Sequence, residues 1–392
     1  MLKSSVPMKL KSDIRKWLLV AAACTWVITA GGNVNAESSA VKPPEMLFYK
    51  GLDAKHGSVF EHGENRISYA VLQDDQVIIK TIGAYGQIKT DTAFPRQKLE
   101  FIAEFHHTQD KGYIAGGGTQ ILKVNGKGEK QWEYSLQQEA GYFTSVNQLK
   151  DGSYAAVVDK PSSESNAHML HWIQFSSTGE VVHEDDLQGV VFDRIHSILI
   201  TSDGGFVVSG VSYQNEESEH VFLAKFDSSG HVEWQQSLSP AEDSQSVGVM
   251  STAEGIDGSV VAAGYYNHPN PNDSRRYLTT GFVLSVDRSG SQKWIRVLDS
   301  AFDRSMLNDI QPTSDGGFIA TGKVNEDWHG TVARQLVWGI RENGDSDWTK
   351  IINRGNYNSG DVVQPLQNGE ELLIGTTDGS YKLIKLGTVR RN

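Results

Sequence analysis

Arginine and aromatic side chains are concentrated in two segments of this sequence, residues 265–280 and residues 323–334. These residue types dominate the centres of protein interfaces, and a guanidinium group also holds a carboxylate through two parallel hydrogen bonds. An acid followed by arginine recurs as Asp193-Arg194 and Asp303-Arg304, for which structural salt bridges between blades are the favoured interpretation and the binding of a polar ligand is the alternative. The candidate binding residues are Tyr265, Tyr266, His268, Arg275, Arg276, Trp328, His329, Arg334, Asp193, Arg194, Asp303, Arg304, Arg354 and Tyr357.

Residue patterns with an established catalytic chemistry are missing from the sequence. It contains no Gly-x-Ser-x-Gly elbow, no phosphate-loop lysine, no dinucleotide glycine pattern and no His-Glu-x-x-His pair. His106 and His107 are adjacent in a predicted strand, so we expect them to point to opposite faces and not to form a site. We therefore predict no catalytic residue, no metal site and no cofactor.

A turn of Asp and Gly followed by an apolar strand recurs along the chain. The clearest pair is Thr201-Ser202-Asp203-Gly204-Gly205-Phe206 and Thr313-Ser314-Asp315-Gly316-Gly317-Phe318. Further along the repeat, a second glycine turn follows the Asp-Gly turn. In four repeats a tryptophan lies four residues after the glycine of this second turn, at Trp132, Trp234, Trp294 and Trp348. Repetition at intervals of about 40 to 60 residues is typical of stacked or radially arranged structural units.

Each repeat predicts four short antiparallel strands joined by glycine turns. One such sheet cannot bury both of its faces, whereas radial repetition can, so the predicted fold is an all-β propeller. Counting the turns gives seven four-stranded blades. The last repeat lacks its fourth strand, and residues 46–52 form a strand without a repeat, so we expect this N-terminal strand to close the ring. Six blades with an N-terminal extension remain the alternative.

The turn with an acid, Gly and a following Trp resembles the repeat of pyrroloquinoline-quinone-like, tryptophan-docking β-propellers. The Asp-Gly-Gly-aromatic turn is similar to that of many secreted bacterial propellers without assigned activity. The resemblance covers roughly residues 60 to 390 and implies that each repeated Trp packs against the turn of the neighbouring blade. It implies no particular enzyme, and the vicinal disulfide of alcohol-oxidising quinoproteins is impossible in a chain whose only cysteine is Cys24.

The N-terminus has the features of a secretory signal peptide. Five basic residues precede the apolar residues 17–30, and Val34-Asn35-Ala36 supplies the small residues typical of a cleavage site. We predict a signal peptide at residues 1–36, one propeller domain at residues 37–392, and a periplasmic or secreted protein; lipidation at Cys24 is the less favoured alternative. Removal of the leader changes the formal charge from −12 to −16, because it holds five basic residues and one acidic residue.

Four consecutive loops between second and third strands are long, at residues 159–167, 213–219, 265–280 and 323–334. We call the end of the propeller where they are expected the long-loop face. The acidic charge disfavours nucleic acid as a ligand. The leading interpretation is an exported, non-catalytic propeller that acts as a scaffold or inhibitor by binding a neutral or basic protein partner on this face.

Two further functions stay open. One is a propeller enzyme, either a quinone-dependent dehydrogenase or a polysaccharide hydrolase or lyase. For the hydrolase or lyase, Asp193 and Asp303 are the only repeated carboxylate pair expected at the channel mouth. The other is a lectin-like glycan binder that uses Tyr265, Tyr266 and Trp328.

Overall fold

The computed structural model describes residues 41–389 except residues 56, 138–140, 162–167, 188, 189, 191, 215–217, 272, 299–303 and 327–330. The regular elements of these residues are all β-strands, which confirms the predicted fold class. The predicted signal peptide and Cys24 lie outside the described residues. Within the described ranges, nothing has the length and apolar character of a membrane-crossing helix.

The described residues form 28 strands, numbered in chain order. They are β1 (Met46–Gly51), β2 (Val59–Gly63), β3 (Arg66–Gln73), β4 (Gln76–Gly83), β5 (Ile88–Pro95), β6 (Glu104–His107), β7 (Tyr113–Gly117), β8 (Gln120–Val124), β9 (Lys130–Ser135), β10 (Tyr142–Gln148), β11 (Tyr154–Pro161), β12 (His168–Phe175), β13 (Val181–Asp186), β14 (Arg194–Ile200), β15 (Phe206–Gln214), β16 (Ser218–Phe226), β17 (Val232–Leu238), β18 (Ser246–Glu254), β19 (Val260–Asn270), β20 (Asp273–Val286), β21 (Gln292–Val297), β22 (Arg304–Pro312), β23 (Phe318–Asn325), β24 (Ala333–Ile340), β25 (Ser346–Ile352), β26 (Asn358–Pro365), β27 (Glu371–Thr377) and β28 (Ser380–Leu386).

Most of these strands form antiparallel sheets of four strands that are consecutive in the chain. Sheets one to four are β2–β5, β6–β9, β10–β13 and β14–β17. Strands β18–β25 form one eight-stranded sheet, called the double sheet. Strands β26–β28 and β1 form the closing sheet. The innermost strands β2, β6, β10, β14, β18, β22 and β26 contact one another in a ring, so the arrangement is a β-propeller.

The double sheet differs from the prediction of seven separate blades, since only five of the sheets are separate four-stranded units. Its halves, β18–β21 and β22–β25, are joined by a parallel pairing of Thr279 with Arg304. The join arises because β20 has 14 residues and its first half extends beyond the blade to reach the start of β22. An inserted segment between second and third strands has therefore become part of the sheet.

The N-terminal strand closes the ring, as the sequence predicts. Strand β1 pairs antiparallel with β28, and Tyr49 lies opposite Ile384. The closing sheet thus combines the two ends of the described chain, and β1 supplies the missing fourth strand. The outer edge of β28 is covered, which removes one exposed row of backbone hydrogen-bonding groups.

The core lies between the sheets and not within them. In β27, Leu372 and Ile374 pack with residues of sheet one, whereas Leu373 packs with residues of the β22–β25 half. Successive side chains of a strand point to opposite faces, and both faces are covered in a radial arrangement. Strands in this fold are consequently apolar on both sides.

The repeated tryptophans pack against the neighbouring turn. A Cβ added at Gly290 would lie 2.7 Å from the Trp234 ring, and one added at Gly344 would lie 2.6 Å from the Trp294 ring. The indole N–H of Trp294 also donates a hydrogen bond of 3.0 Å to the Glu342 carbonyl in the same turn. These turns need glycine both for its positive φ and for the close approach of the indole.

Candidate functional site

Most of the segment expected to be a long loop at residues 265–280 is a β-hairpin. Strands β19 and β20 pair from Val260 opposite Val286 as far as Asn270 opposite Asp273. Residues 213–219 are likewise largely within β15 and β16. Strand pairing satisfies the backbone groups that a loop would expose to water. The long-loop face therefore presents extended hairpins where the sequence predicted free loops.

Two of the predicted binding residues in this hairpin are held by packing. Tyr266 is only 5% exposed and belongs to the apolar core between sheet four and the double sheet, so the expectation of an accessible ring was wrong. Burial raises the pKa of the Tyr266 phenol to about 12. His268 stacks on Tyr266 at 5.1 Å between ring centroids, and its Nε2 lies 3.0 Å from the Thr280 hydroxyl.

The arginines of the hairpin lie at its exposed tip. The Arg275 and Arg276 side chains are in contact with the Asp273 carboxylate, at 3.2 and 3.3 Å from each Nε. Both guanidinium groups are more than half exposed. They can meet a partner molecule on this face, but they lie on one strand and do not enclose a ligand.

Asp193 and Arg194, adjacent in the sequence, bind different partners. The Asp193 carboxylate accepts a hydrogen bond of 2.8 Å from the Tyr213 backbone N–H. Arg194 pairs instead with Glu219 at 2.5 Å, and Glu219 also accepts from the Val247 N–H of the next sheet at 3.0 Å. Asp303 lies outside the described residues, as do Trp328 and His329.

A cleft on the long-loop face brings together residues from both halves of the double sheet. We call it the double-sheet cleft; it has a volume of about 270 Å³ and is lined by Tyr265, Thr279, Arg304, Ser305, Met306, Lys323 and Asn325. Tyr265 and Arg304 are predicted binding residues. The join between β20 and β22 forms one wall, since Thr279 and Arg304 are the paired residues.

Lys323 connects this cleft to the closing sheet. Its ammonium group donates a hydrogen bond of 2.7 Å to the hydroxyl of the predicted residue Tyr357 and lies 5.2 Å from the centre of that ring. Burial raises the pKa of the nearby Asp361 carboxyl to about 6, although a hydrogen bond from Ser359 and the charge of Lys323 act in the opposite direction. Lys323 lies at the boundary of a predicted loop and is not among the predicted binding residues.

An amide oxygen in the cleft has no partner of its own. Asn325 is 8% exposed, and among the described residues its Oδ1 atom accepts no hydrogen bond. Buried polar atoms are normally paired, because the loss of water contacts costs free energy. Within the described part of the chain, this oxygen is therefore left to a donor group of a bound molecule.

The remaining predicted arginines occupy the rim beside the closing sheet. Arg334 makes a two-pronged ion pair with Glu326, at 3.1 and 2.8 Å, and donates to the Gly355 carbonyl at 2.8 Å. Arg354 lies over the Tyr49 ring, 5.7 Å from its centre. Arg334 thus has a structural role in holding the β23–β24 hairpin against the connection before β26.

The innermost strands surround a central channel and carry a cluster of titratable side chains. The cluster includes His106 and His107, which were predicted not to form a site. His106 and His107 both contact Glu61, and the His106 Nε2 atom lies 2.7 Å from Glu104. Burial alone would raise the pKa of Glu61, but hydrogen bonds from both histidines outweigh it and lower the value to about 2. Burial would lower the pKa of His106, but Glu104 and Glu61 raise it to about 10. Both histidines reach one acid because the Glu61 carboxylate accepts a hydrogen bond from the His107 backbone N–H and lies beside both rings from there.

The channel acids clamp neighbouring innermost strands to each other. Glu104 accepts a hydrogen bond of 2.9 Å from the Val146 N–H, and Asp309 accepts one of 2.8 Å from the Val363 N–H. Asp309 also forms an ion pair of 3.2 Å with His62. These carboxylates satisfy backbone donors of the next sheet, which is a structural task. In the described part of the chain, no group of three or more acids and histidines has a geometry suited to a metal ion.

The double-sheet cleft is the arrangement best suited to hold a ligand. It combines the cations of Arg304 and Lys323 with the phenol of Tyr265 and the amide of Asn325. The two cations of this set can bind a carboxylate group of a ligand, and the phenol and the amide can form hydrogen bonds with polar groups beside that carboxylate. The described lining residues include no carboxylate, so the pair of acids required for glycoside hydrolysis is not assembled by them.

Comparisons with known proteins extend the description of the fold. No protein-family model matches the chain, and no curated protein matches it. The chain is similar to the crystal structure of polysaccharide lyase Uly1, with a TM-score of 0.54 and 11% identity over 92% of this chain and 95% of that one. It is also similar to the crystal structure of puromycin hydrolase, with a TM-score of 0.51 and 10% identity. That match covers 92% of this chain and 55% of the puromycin hydrolase chain. At these identities the similarity establishes the fold alone, and it agrees with the propeller seen in the strand order.

Proposed function

We propose that this chain is an exported, non-catalytic binding propeller that holds a protein partner on its long-loop face, with the double-sheet cleft at the centre of the interface. The observation that carries the proposal is the grouping of Arg304, Lys323 and the unpaired Asn325 oxygen in one cleft. Exposed Tyr277, Arg275 and Arg276 extend the same face outward along the β19–β20 hairpin. Export is proposed from the signal-like residues 1–36.

The charges in and around the cleft indicate which side chains a protein partner would place there. The protein as a whole is acidic, so the general field favours a neutral or basic partner. Locally, however, the cleft holds two cations, which pair best with an Asp or Glu side chain that enters it. The partner we propose therefore inserts an acidic side chain beside Lys323 while its surrounding surface is neutral or basic.

The test is capture of the partner from a cell-envelope extract of the source organism, using the immobilised full chain. Lys323→Ala should reduce recovery of the captured protein at least about fivefold, since a central interface residue commonly contributes more than about 1 kcal/mol. Arg275→Ala should give a smaller reduction. Lys127→Ala removes an exposed lysine from a turn at the opposite face and should capture as much as the wild type. Equal capture by all four proteins, with unchanged thermal melting, would exclude this face as the binding site.

A second candidate is a polysaccharide lyase that acts at the same cleft. It is favoured by the similarity to polysaccharide lyase Uly1 over nearly the whole of both chains. Arg304 and Lys323 would neutralise a sugar carboxylate, and Tyr265 would act in proton transfer. Incubation with alginate, pectate and heparin, followed by the ultraviolet absorbance of unsaturated products, separates the candidates. An increase in absorbance that is lost in Tyr265→Phe would replace the binding proposal with the lyase.

A further inference from the structure

One position of the repeat holds an aromatic residue in most sheets and a glutamate in the closing sheet. The position is the first residue of the second strand, directly after the glycine turn. It is occupied by Tyr113, Tyr154, Phe206, Val260 and Phe318, by Arg66 in sheet one and by Glu371 in β27. Glu371 is nevertheless only 5% exposed, as buried as the aromatic residues that it replaces.

The aromatic residue at this position normally meets a tryptophan of the preceding sheet. Trp132 packs on Tyr154 with ring centroids 5.2 Å apart, and Trp294 packs on Phe318 at 6.3 Å. By the same repeat, Trp348 of the β22–β25 half faces the position of Glu371. A carboxylate therefore stands where an aromatic partner of Trp348 is expected.

Trp348 also lacks the turn against which the other tryptophans pack. Trp234 and Trp294 are covered by the turn between the third and fourth strands of the next sheet, at Gly290 and Gly344. In the closing sheet the third and fourth strands are β28 and β1, which come from opposite ends of the described chain and share no turn. Closure of the ring has thus replaced this turn with side chains from the two ends of the described chain, such as Met46 and Val389, and Trp348 is still only 3% exposed.

A cavity of about 380 Å³ lies where Trp348 and Glu371 both reach its wall. We call it the seam cavity. It is lined by Trp348 and Glu371, by the charged residues Asp315, Arg341, Glu342 and Asp347, and by Thr388 and Val389 near the end of the described chain. Its volume lies within the range of about 300–1,000 Å³ that is typical of small-molecule sites.

The carboxylate of Glu371 is unsatisfied in this cavity. Among the described residues, its Oε2 atom has no hydrogen-bond partner. Burial, with a smaller contribution from the charge of Asp315, raises the pKa of Glu371 to about 8. A buried acid of this kind destabilises the fold unless a cation or a donor reaches it.

The charge around the cavity is negative. Four acids line it against one arginine, and the Arg341 Nε atom is already 3.0 Å from Asp347. A positive group that enters the cavity would meet the face or edge of an indole, together with an unsatisfied carboxylate. Both features attract organic cations, and desolvation strengthens the attraction between a cation and an aromatic ring.

We propose that the seam cavity is a binding site for an organic cation, a guanidinium or alkylammonium group that contacts Trp348 and pairs with Glu371. This site is separate from the double-sheet cleft and does not depend on the function proposed for it. The cation has two possible sources. One is a separate molecule or a basic side chain of another protein, and the other is Arg390 or Arg391, which follow Val389 in the sequence and lie outside the described residues.

The experiment is a calorimetric titration of the full chain with methylguanidinium and with tetramethylammonium at about pH 9, where Glu371, with its pKa of about 8, is mostly ionised. We expect binding of at least one probe, and a loss of about tenfold or more in affinity in Glu371→Gln, which keeps the side-chain volume and removes the charge. Glu371→Phe restores the aromatic residue of the repeat, so it should abolish binding while raising the melting temperature. Glu100→Gln, an exposed acid outside the cavity, should bind as the wild type does.

The two sources of the cation are separated by Arg390→Gln/Arg391→Gln. If a separate molecule is the natural ligand, this double variant binds the probes with the affinity of the wild type. If the arginines of the chain occupy the cavity, only the double variant binds the probes well. That result would support the cation site, with Arg390 or Arg391 as its natural occupant. Probe binding that is unchanged in Glu371→Gln would overturn the proposal, as would no binding by either the wild type or the double variant.

Discussion

At the scale of single residues, the repeated tryptophans show how a sequence motif becomes a packing contact between sheets. Trp294 is 7% exposed and lies against the turn at Gly344, and it also meets Phe318 across the interface. Its indole N–H is paired with a backbone carbonyl of that turn. The contact joins the two halves of the double sheet, so its main effect is on stability and not on binding.

Trp294→Ala should lower the free energy of unfolding by about 3–5 kcal/mol, the usual cost of removing a large buried aromatic side chain. Denaturant titration of the wild type and the variant measures the difference. Ligand capture by the folded variant should be unchanged, because the residue lies far from the long-loop face in the repeat. Normal stability combined with a lost ligand would show that the tryptophan binds and does not pack.

At the scale of elements, the N-terminal strand is the part on which ring closure depends. Strand β1 covers β28, while Met46 and Tyr49 pack against the apolar cluster that contains Trp348. Leu52, just after the strand, is buried against residues of sheet one. One short strand therefore contributes to the interfaces on both sides of the closing sheet.

Deletion of residues 44–53 should destabilise the whole protein. Each Å² of apolar surface returned to water costs about 25 cal/mol, so exposure of a few hundred Å² removes a large part of a typical stability of about 5–15 kcal/mol. Thermal melting followed by circular dichroism measures the effect. Leu47→Ala changes an exposed side chain of the same strand and should melt as the wild type does. A deletion variant with an unchanged melting temperature would refute closure by β1.

At the scale of the whole molecule, the central channel is held by charge pairs between innermost strands. Glu61 of β2 accepts a hydrogen bond of 2.7 Å from the His107 N–H of β6 and pairs with both neighbouring histidine rings. Asp309 and His62 make a second pair across the closing sheet, with Gln364 also in contact with His62. These groups lie far apart in the sequence and meet only when the ring is complete.

The lowered pKa of Glu61 defines the pH range in which this cluster stabilises the fold. Its value falls from 4.5 to about 2 on folding, so the stabilisation is fully present above about pH 4.5 and is lost as the pH falls towards 2. Glu61→Gln should therefore cost about 3–5 kcal/mol at pH 7, because it removes a buried carboxylate shared by two partly buried histidines, of which His106 alone keeps another acid, Glu104. The difference from the wild type should shrink at pH 3, as measured by denaturant unfolding. A difference that is equal at both pH values would contradict the ion-pair interpretation.

The sequence alone determined the repeating unit, the class of fold and the strand that closes the ring. Turn glycines, strand alternation and the position of each tryptophan are set by neighbouring residues, so they can be read from short segments such as the one around Asp203 or Asp315. The replacement of an aromatic residue by Glu371 was also visible as an exception in the repeat, but its meaning depended on what it faces.

Only the tertiary structure decided which side chains are buried or brought together. Strands of a propeller are covered on both faces, so alternation does not distinguish Tyr266 in the core from Tyr265 in a cleft. The cluster at Glu61 joins different sheets, and Lys323 reaches Tyr357 from a separate strand. Such contacts join residues tens to hundreds of positions apart, and their geometry is fixed by the closed ring.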